Sequence, residues 1–246
     1  MEDLTPRELD ILKAIIQQYT ESGEPVGSEI LEKKYKLGVS PATIRNEMVV
    51  LSKKGYLKKT HFSSGRVPSA KGFRLYIQHL MKPKDLSTTD EVSYKNSIWD
   101  ERKEAHRLLG QATKVLAHRT GLLSITATNF GDLYYSGVAN LLDMPEFLDL
   151  ALSKNLFELL DELPYWERIL DRFYKLNTDI MYLLGEEDFR DPHFESCASI
   201  FGEFTGGKTK GIIGIIGPKR MYYDELAPQV RYISGLIGQI IKEQGL

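Results

Sequence analysis

The sequence predicts an α+β protein in two parts, and three observations predict it. Residues 1–82 combine helical spacing, helix-start signals and a concentration of basic side chains. A polar, proline-containing stretch follows at 82–90. Beyond Gly121, short β-branched runs are mixed with amphipathic helical stretches, the texture of a sheet packed by helices.

The 246 residues leave room for one or two domains of roughly 100–200 residues each. No apolar run approaches the roughly 20 residues that a bilayer demands, so no membrane partner is expected. The opening MEDLTPRELD is acidic and polar, unlike a secretory signal. A single cysteine, Cys197, excludes an internal disulfide framework and any multi-cysteine metal site. A cytoplasmic setting is the expectation. The net charge of -2 hides an asymmetry: from Lys33 to Lys84 there are 13 basic residues and one acid, Glu47. A block at +12 within a chain whose remainder stands at −14 points to a polyanionic partner, nucleic acid first. The plainer alternative is a solvated basic surface.

The elements can be justified in order. Thr5-Pro6-Arg7-Glu8 opens a helix, with Thr5 as N-cap, Pro6 in the first turn and Glu8 completing a capping box. Leu9, Leu12, Ile15, Ile16 and Tyr19 form its apolar face, and Gly23 and Pro25 end it. Ser28 is expected to cap a short second helix carrying Ile30, Leu31 and Tyr35. Leu37-Gly38-Val39 makes a tight turn, and Ser40-Pro41 starts a third helix ending near Gly55. Three short helices with such a turn between the second and third have helix-turn-helix spacing. At about 100° per residue, Ile44, Met48 and Leu51 of the third helix share a buried sector. Ala42, Asn46, Val49 and Lys53 lie opposite, flanked by Thr43 and Arg45. An amide, a guanidinium and small apolar groups suit base edges in a major groove. A polar outer face on an ordinary helical bundle would look similar.

The alternating Gly55–His61 segment reads as a strand, and Phe62–Pro68 as a loop with a short return: a wing. Ser63, Ser64, Gly65 and Arg66 there suit backbone or minor-groove contact. His61 reads as a phosphate or groove contact, or as merely exposed. Ser69 caps a fourth helix through Phe73, Leu75, Tyr76 and Leu80. Residues 83–118 read as a linker followed by a helical stretch, and 119–246 as an α/β domain. Within the latter LLSITATN, DLYYSGVANLL, TDIMYLLG, SCASIFGEF and KGIIGIIG are β-rich. PEFLDLALSKNLFELLDEL is helical, and Leu226 to Lys242 forms a closing helix.

Several of these blocks carry a resemblance. LTPRELDILKAIIQQY, SGEPVGSEIL, LGVSPATIRNEM, LSKKGYL and SSGRVPSAKGFRLY closely resemble the amino-terminal domain of the HrcA family of bacterial heat-inducible transcription repressors. NLLDMPEF at Asn140–Phe147 and IGPKRMYYDELAPQVRYI at Ile216–Ile233 resemble the later part of the same family. The resemblance implies a winged helix-turn-helix followed by a GAF-like domain. It also implies repression of chaperonin and DnaK-type chaperone operons through an inverted-repeat operator called CIRCE, with release on heat stress. A homodimer on double-stranded DNA and a chaperonin partner are implied with it. The chain departs from the pattern in its middle, where only Leu122 to Gly137 separates the helical stretch from NLLDMPEF. The family's inserted dimerisation segment is missing there, and its interface is not carried over.

The expected DNA-contacting residues are therefore Ser28, Ser40, Ala42, Thr43, Arg45, Asn46, Lys53, His61, Ser64 and Arg66. No cofactor, metal or catalytic residue is expected, and the protein is read as a non-enzyme. The alternative function is a winged-helix regulator that responds to a small molecule in a GAF-like pocket. One motif invites an enzyme reading: Gly202 to Thr209 matches G-x-x-x-x-G-K-[ST]. A phosphate cradle needs a helix after that loop, but the glycine-broken, β-branched Lys210–Ile216 reads as a strand. The glycines then belong to a hairpin. His106 and His118 stand too far apart to share a metal and lack partners. Cys197 reads as core, Glu186, Glu187 and Asp188 as a solvated turn, and Trp99, Trp166, Tyr134-Tyr135 and Tyr222-Tyr223 as packing.

Overall fold

The structure, a computed structural model, describes residues 4–59, 65–176 and 178–246. It divides into two compact units. The first comprises Met1–Lys82 with Arg220–Tyr222, the second Pro83–Lys219 with Tyr223–Leu246.

The first unit begins with α1 (Pro6–Ser22), whose capping box forms as its sequence dictates: Thr5 and Glu8 satisfy each other's backbone N–H groups. Its buried face is Ile11, Leu12, Ala14, Ile15 and Ile16, with Leu9 and Tyr19 only half-buried. Gly23 closes the helix in the left-handed region at φ 70°. Next come α2 (Ser28–Lys34) and α3 (Pro41–Lys53). Gly27, not Ser28, occupies the N-cap of α2, and no side chain caps it. Ser28 is the first helical residue and is buried, which corrects the expected cap. Ser40 does cap α3, accepting from the Thr43 N–H. Strands β1 (Leu57–Lys59) and β2 (Arg66–Pro68) pair antiparallel, with Lys58 opposite Val67. Ser69 then caps α4 (Ala70–Leu75), which widens into a π-helical turn over Tyr76–Leu80.

The second unit opens with α5 (Thr88–Trp99) and α6 (Ala105–Thr120). Residues 83–118, expected as a linker and helix, are thus part of this unit. Tyr94 and Ile98 are buried, and the Tyr94 hydroxyl donates to Gln229 Oε1 at 2.7 Å. After β3 (Leu123–Thr128) and β4 (Leu133–Ser136), Gly137 turns at φ 86° into α7 (Val138–Leu142). A Cβ at Gly137 would lie 2.4 Å from the Leu122 carbonyl, so glycine is required and the expected β-run stops there. The remaining elements are α8 (Leu150–Asp161), α9 (Leu163–Leu176), β5 (Ile180–Leu184), α10 (Gly185–Phe189), β6 (Cys197–Gly206), β7 (Thr209–Pro218) and α11 (Tyr223–Gln244). Helix α9 escapes the sequence reading, although Tyr165, Trp166, Ile169, Leu170 and Phe173 give it a buried face at helical spacing.

The five strands form one antiparallel sheet in the order β4-β3-β7-β6-β5. One face presents Leu123, Ile125, Ile212, Ile216 and Phe201 to a core completed by Leu156, Leu160, Trp166 and Phe173 of α8 and α9. The opposite face carries Thr126, whose hydroxyl meets that of Thr113 on α6 at 2.7 Å. Its glycines at 202 and 206 let α11 approach, through Ser234 and Ile241.

Candidate nucleic-acid interface

In α3 the buried residues are Ile44, Met48 and Leu51, so helical periodicity turns Ala42, Arg45, Asn46, Val49 and Lys53 outward, and all five are exposed. Thr43 is half-buried, and its hydroxyl lies 3.1 Å from that of Ser40. Both hydroxyls are therefore engaged at the helix start. No acid occupies the first turn, which leaves its positive dipole end uncompensated by a carboxylate. The helix's one acid, Glu47, is half-buried and pairs with Arg7 at 3.5 Å. The outer face is consequently acid-free.

The hairpin adds to that face. Tyr56 and Leu57 are buried while Lys58 and Lys59 are exposed. Arg66 sits in β2, the short return strand of the hairpin. Its backbone N–H and carbonyl exchange hydrogen bonds with Val26 at 3.0 and 2.9 Å. Its Nε donates to Ser52 Oγ at 3.1 Å, and Nη1 donates to the Gly65 carbonyl at 3.1 Å. The guanidinium is half-buried and tethered within the unit. Ser28, Glu29, Ile30, Arg45, Lys59 and Arg66 line a hollow of about 500 Å³ between these elements, so one exposed acid from α2 borders it. Arg45, Arg66 and Ser28 are thus brought together, whereas the buried Ser28 offers little surface. His61 and Ser64 lie outside the described residues. Lys59 and Ile30 were missed as site residues. The alternation in Tyr56-Leu57-Lys58-Lys59 carries a partial signal for the former, but the Arg66–Ser52 contact has none, because it depends on how the hairpin folds back.

Beneath this surface, Glu8 accepts a hydrogen bond from Lys54 Nζ at 2.8 Å, with Glu8 only 3% exposed. Burial works to raise the Glu8 pKa, but the hydrogen bonds from Lys54 and Thr5 outweigh it and hold the carboxyl below its usual value.

The other chemistry-bearing motifs resolve differently. Gly202–Thr209 lies across the β6–β7 hairpin, where Gly206 pairs with Thr209 and Gly207 takes φ 55°. No helix follows, so the phosphate-cradle geometry is not built. His106 lies with Nδ1 2.8 Å from the Tyr134 hydroxyl. Cys197 is fully buried, and burial pushes its thiol pKa far up. Glu186–Asp188 forms α10 instead of a solvated turn, and Asp188 accepts from Arg172 at 2.8 Å and from the Leu184 N–H at 2.9 Å. Among the described residues no cluster of three or more His, Cys, Asp or Glu is placed to hold a metal, and no helix is long and apolar enough to cross a membrane.

Fold and charge define a two-unit α+β protein that couples a basic helical unit to a five-stranded antiparallel sheet unit. The chain belongs to the HrcA family: the family model described as the HrcA protein C terminal domain matches residues 44–226. It is 27% identical to the heat-inducible transcription repressor HrcA of Clostridium botulinum (strain Eklund 17B / Type B), with 96% of each chain covered. That alignment extends over 340 positions, so the relative carries a large block with no counterpart in the 246 residues here. A stronger local likeness, 45% over 120 residues, relates it to the repressor HrcA of Clostridium perfringens (strain SM101 / Type A), covering 48% of this chain and 35% of that one. A crystal structure of a hypothetical protein superposes with a TM-score of 0.81 at 18% identity, covering 98% of this chain and 99% of the other. At that identity the likeness speaks for the fold alone.

Proposed function

We propose that this protein is a heat-inducible transcription repressor that binds double-stranded DNA through its first unit, read as a winged helix. The observation that carries the reading is the acid-free outer face of α3, with Ala42, Arg45, Asn46, Val49 and Lys53 exposed beside a lysine-bearing hairpin. In this reading α3 enters the major groove, Asn46 and Arg45 address base edges, and Val49 and Ala42 contact thymine methyl groups. Lys53, Lys59 and the hairpin contact phosphate, and the α3 N-terminus at Ser40 and Thr43 approaches the backbone. His61 and Ser64 are proposed to contact DNA as well.

The protein acts as a homodimer on an inverted repeat of the CIRCE type, since one such helix reads only a short half-site and a two-fold operator mirrors a two-fold protein. The second unit, GAF-like in this reading, joins the copies and responds to heat, with a chaperonin as its folding partner. The regulated operons encode chaperonin and DnaK-type chaperones, and the setting is cytoplasmic. Family membership and the names of the relatives support this reading.

Footprinting with the full chain tests it. Protection of the inverted repeat, lost when one half-site is scrambled, is the expected result. Equal affinity for operator and scrambled DNA at several salt concentrations would overturn it.

A further inference from the structure

The five-stranded sheet ends at β4, and among the described residues no strand pairs with its outer edge. Exposed edges normally carry a lysine, a proline or a bulge that prevents pairing with another chain. β4 reads Leu133-Tyr134-Tyr135-Ser136 and has none of the three. Tyr135 is 49% exposed although it is a large residue of high β propensity. The other edge strand, β5, runs directly into α10 and is largely buried, so the two ends of the sheet are not equivalent.

The ground beside β4 is charged along one direction. A hollow of about 490 Å³ lies between this strand and α6, lined by Leu133, Tyr134 and Tyr135 together with Glu101, Arg107 and Lys114. Glu101 stands before the first turn of α6, and Lys114 two and a half turns into it. Between them Arg107 is answered by Glu104 at 3.2 Å, and Arg102 folds back over the Trp99 ring. The hollow therefore carries Glu101 at one end and Lys114 at the other, with Arg107 and the Tyr134-bonded His106 also on its wall.

Antiparallel pairing of a strand with its own copy requires a two-fold axis perpendicular to the sheet. Such an axis keeps like faces of the two sheets on the same side, so each α6 lies beside the other and runs opposite to it. Glu101 of one copy then falls on the side of Lys114 of the other, twice. A parallel arrangement needs an axis in the sheet plane, which would put the two hollows on opposite faces and bring no charges together.

We propose that the outer edge of β4 seats a second copy of this chain, the two β4 strands pairing antiparallel across a two-fold axis with Glu101 of each copy facing Lys114 of the other. This names the surface of the homodimer proposed above and rests on that reading for its two-fold symmetry alone. It also gives a chain without its relatives' additional block a means of pairing through the sheet itself.

Charge exchange tests it. The parent chain, Glu101→Lys, Lys114→Glu, the double exchange and Tyr135→Lys are compared by sedimentation velocity over a concentration series, with far-ultraviolet circular dichroism to verify folding. Each single exchange and Tyr135→Lys is expected to weaken the dimer by about tenfold or more, because an attraction becomes a repulsion at two symmetric places or a charge is buried at the edge. The double exchange is expected to restore it. A parent dimer that all folded variants match would overturn the β4 surface and leave the homodimer standing. A parent chain that stays monomeric with and without operator would overturn both.

Discussion

Arg66 and Ser52, fourteen residues apart, are joined by a hydrogen bond of 3.1 Å from guanidinium Nε to hydroxyl Oγ. The same hydroxyl donates to the Met48 carbonyl at 2.8 Å, so the hairpin is tied to the backbone of α3 through one serine. Arg66 also bridges to Val26 through its main chain, which brings the segment before α2 into the same joint. Arg66 therefore sets the position of the hairpin against the helix proposed to read DNA.

That joint separates two kinds of failure. Asn46→Ala is expected to cost about 1–3 kcal/mol on operator and little on scrambled DNA, relaxing the preference at one base pair. Arg66→Ala is expected to weaken both DNAs and to lower the melting temperature. Arg66→Lys should behave like Arg66→Ala, because an ammonium cannot reproduce the planar fork that reaches Ser52 and Gly65. Titrations at several salt concentrations, paired with thermal melts, check the three variants. Full recovery by lysine would mean that charge alone is what matters at this position.

Glu8 makes the first unit sensitive to acid. Its folded pKa lies below the ordinary carboxylate value, so its contribution is complete above about pH 4.5. The contribution is lost as pH falls through the lowered folded value. Glu8→Gln is expected to cost about 1–3 kcal/mol at neutral pH, since it removes a charged partner from Lys54. Urea titrations should show the gap between parent and variant closing as pH drops below about 4. A gap independent of pH would assign the cost to packing instead.

Gly214 leaves room for the Phe201 ring. A Cβ there would lie 2.1 Å from the Ile200 carbonyl oxygen and 2.4 Å from Phe201 Cδ1. Gly214→Ala is expected to destabilise the second unit by about 1–3 kcal/mol or more through overpacking. Calorimetry of the full chain would register the lowered transition, and an unchanged transition would contradict the tight strand packing.

Lys208→Ala should leave thermal stability unchanged in the presence of Mg-ATP, and the parent itself should show no shift. Its lysine sits at the two-residue tip of the β6–β7 hairpin, with a strand and not a helix after it. A nucleotide-dependent shift abolished by this variant would reverse the hairpin reading.

Operator binding is expected to disappear at modest temperature and to return when chaperonin and nucleotide are added after cooling. Band shifts across a temperature series measure this. Binding that persists well above growth temperature would count against release by heat.

Local rules made much of the first unit legible. The Thr5–Glu8 box, the Ser40 and Ser69 caps and the buried sector of α3 depend on residues within a few positions of one another, and periodicity alone sorts Ile44 from Asn46. The hairpin nature of Gly202–Thr209 was likewise readable, because β-branched residues flank it at strand spacing. The sequence also exposed the segregation of charge that marks one unit as basic. What it could not determine were relationships made by distant segments. The Arg66–Ser52 contact forms only when β2 folds against α3, and Ser28, expected as a cap, is buried with Gly27 in the cap position. Residues 83–118 read as a linker followed by a helical stretch, but the burial of Tyr94 against Gln229 depends on a helix far along the chain. Capping and periodicity are set by neighbours in sequence, whereas tethering, strand order and the open edge at β4 are set by what long-range packing happens to cover.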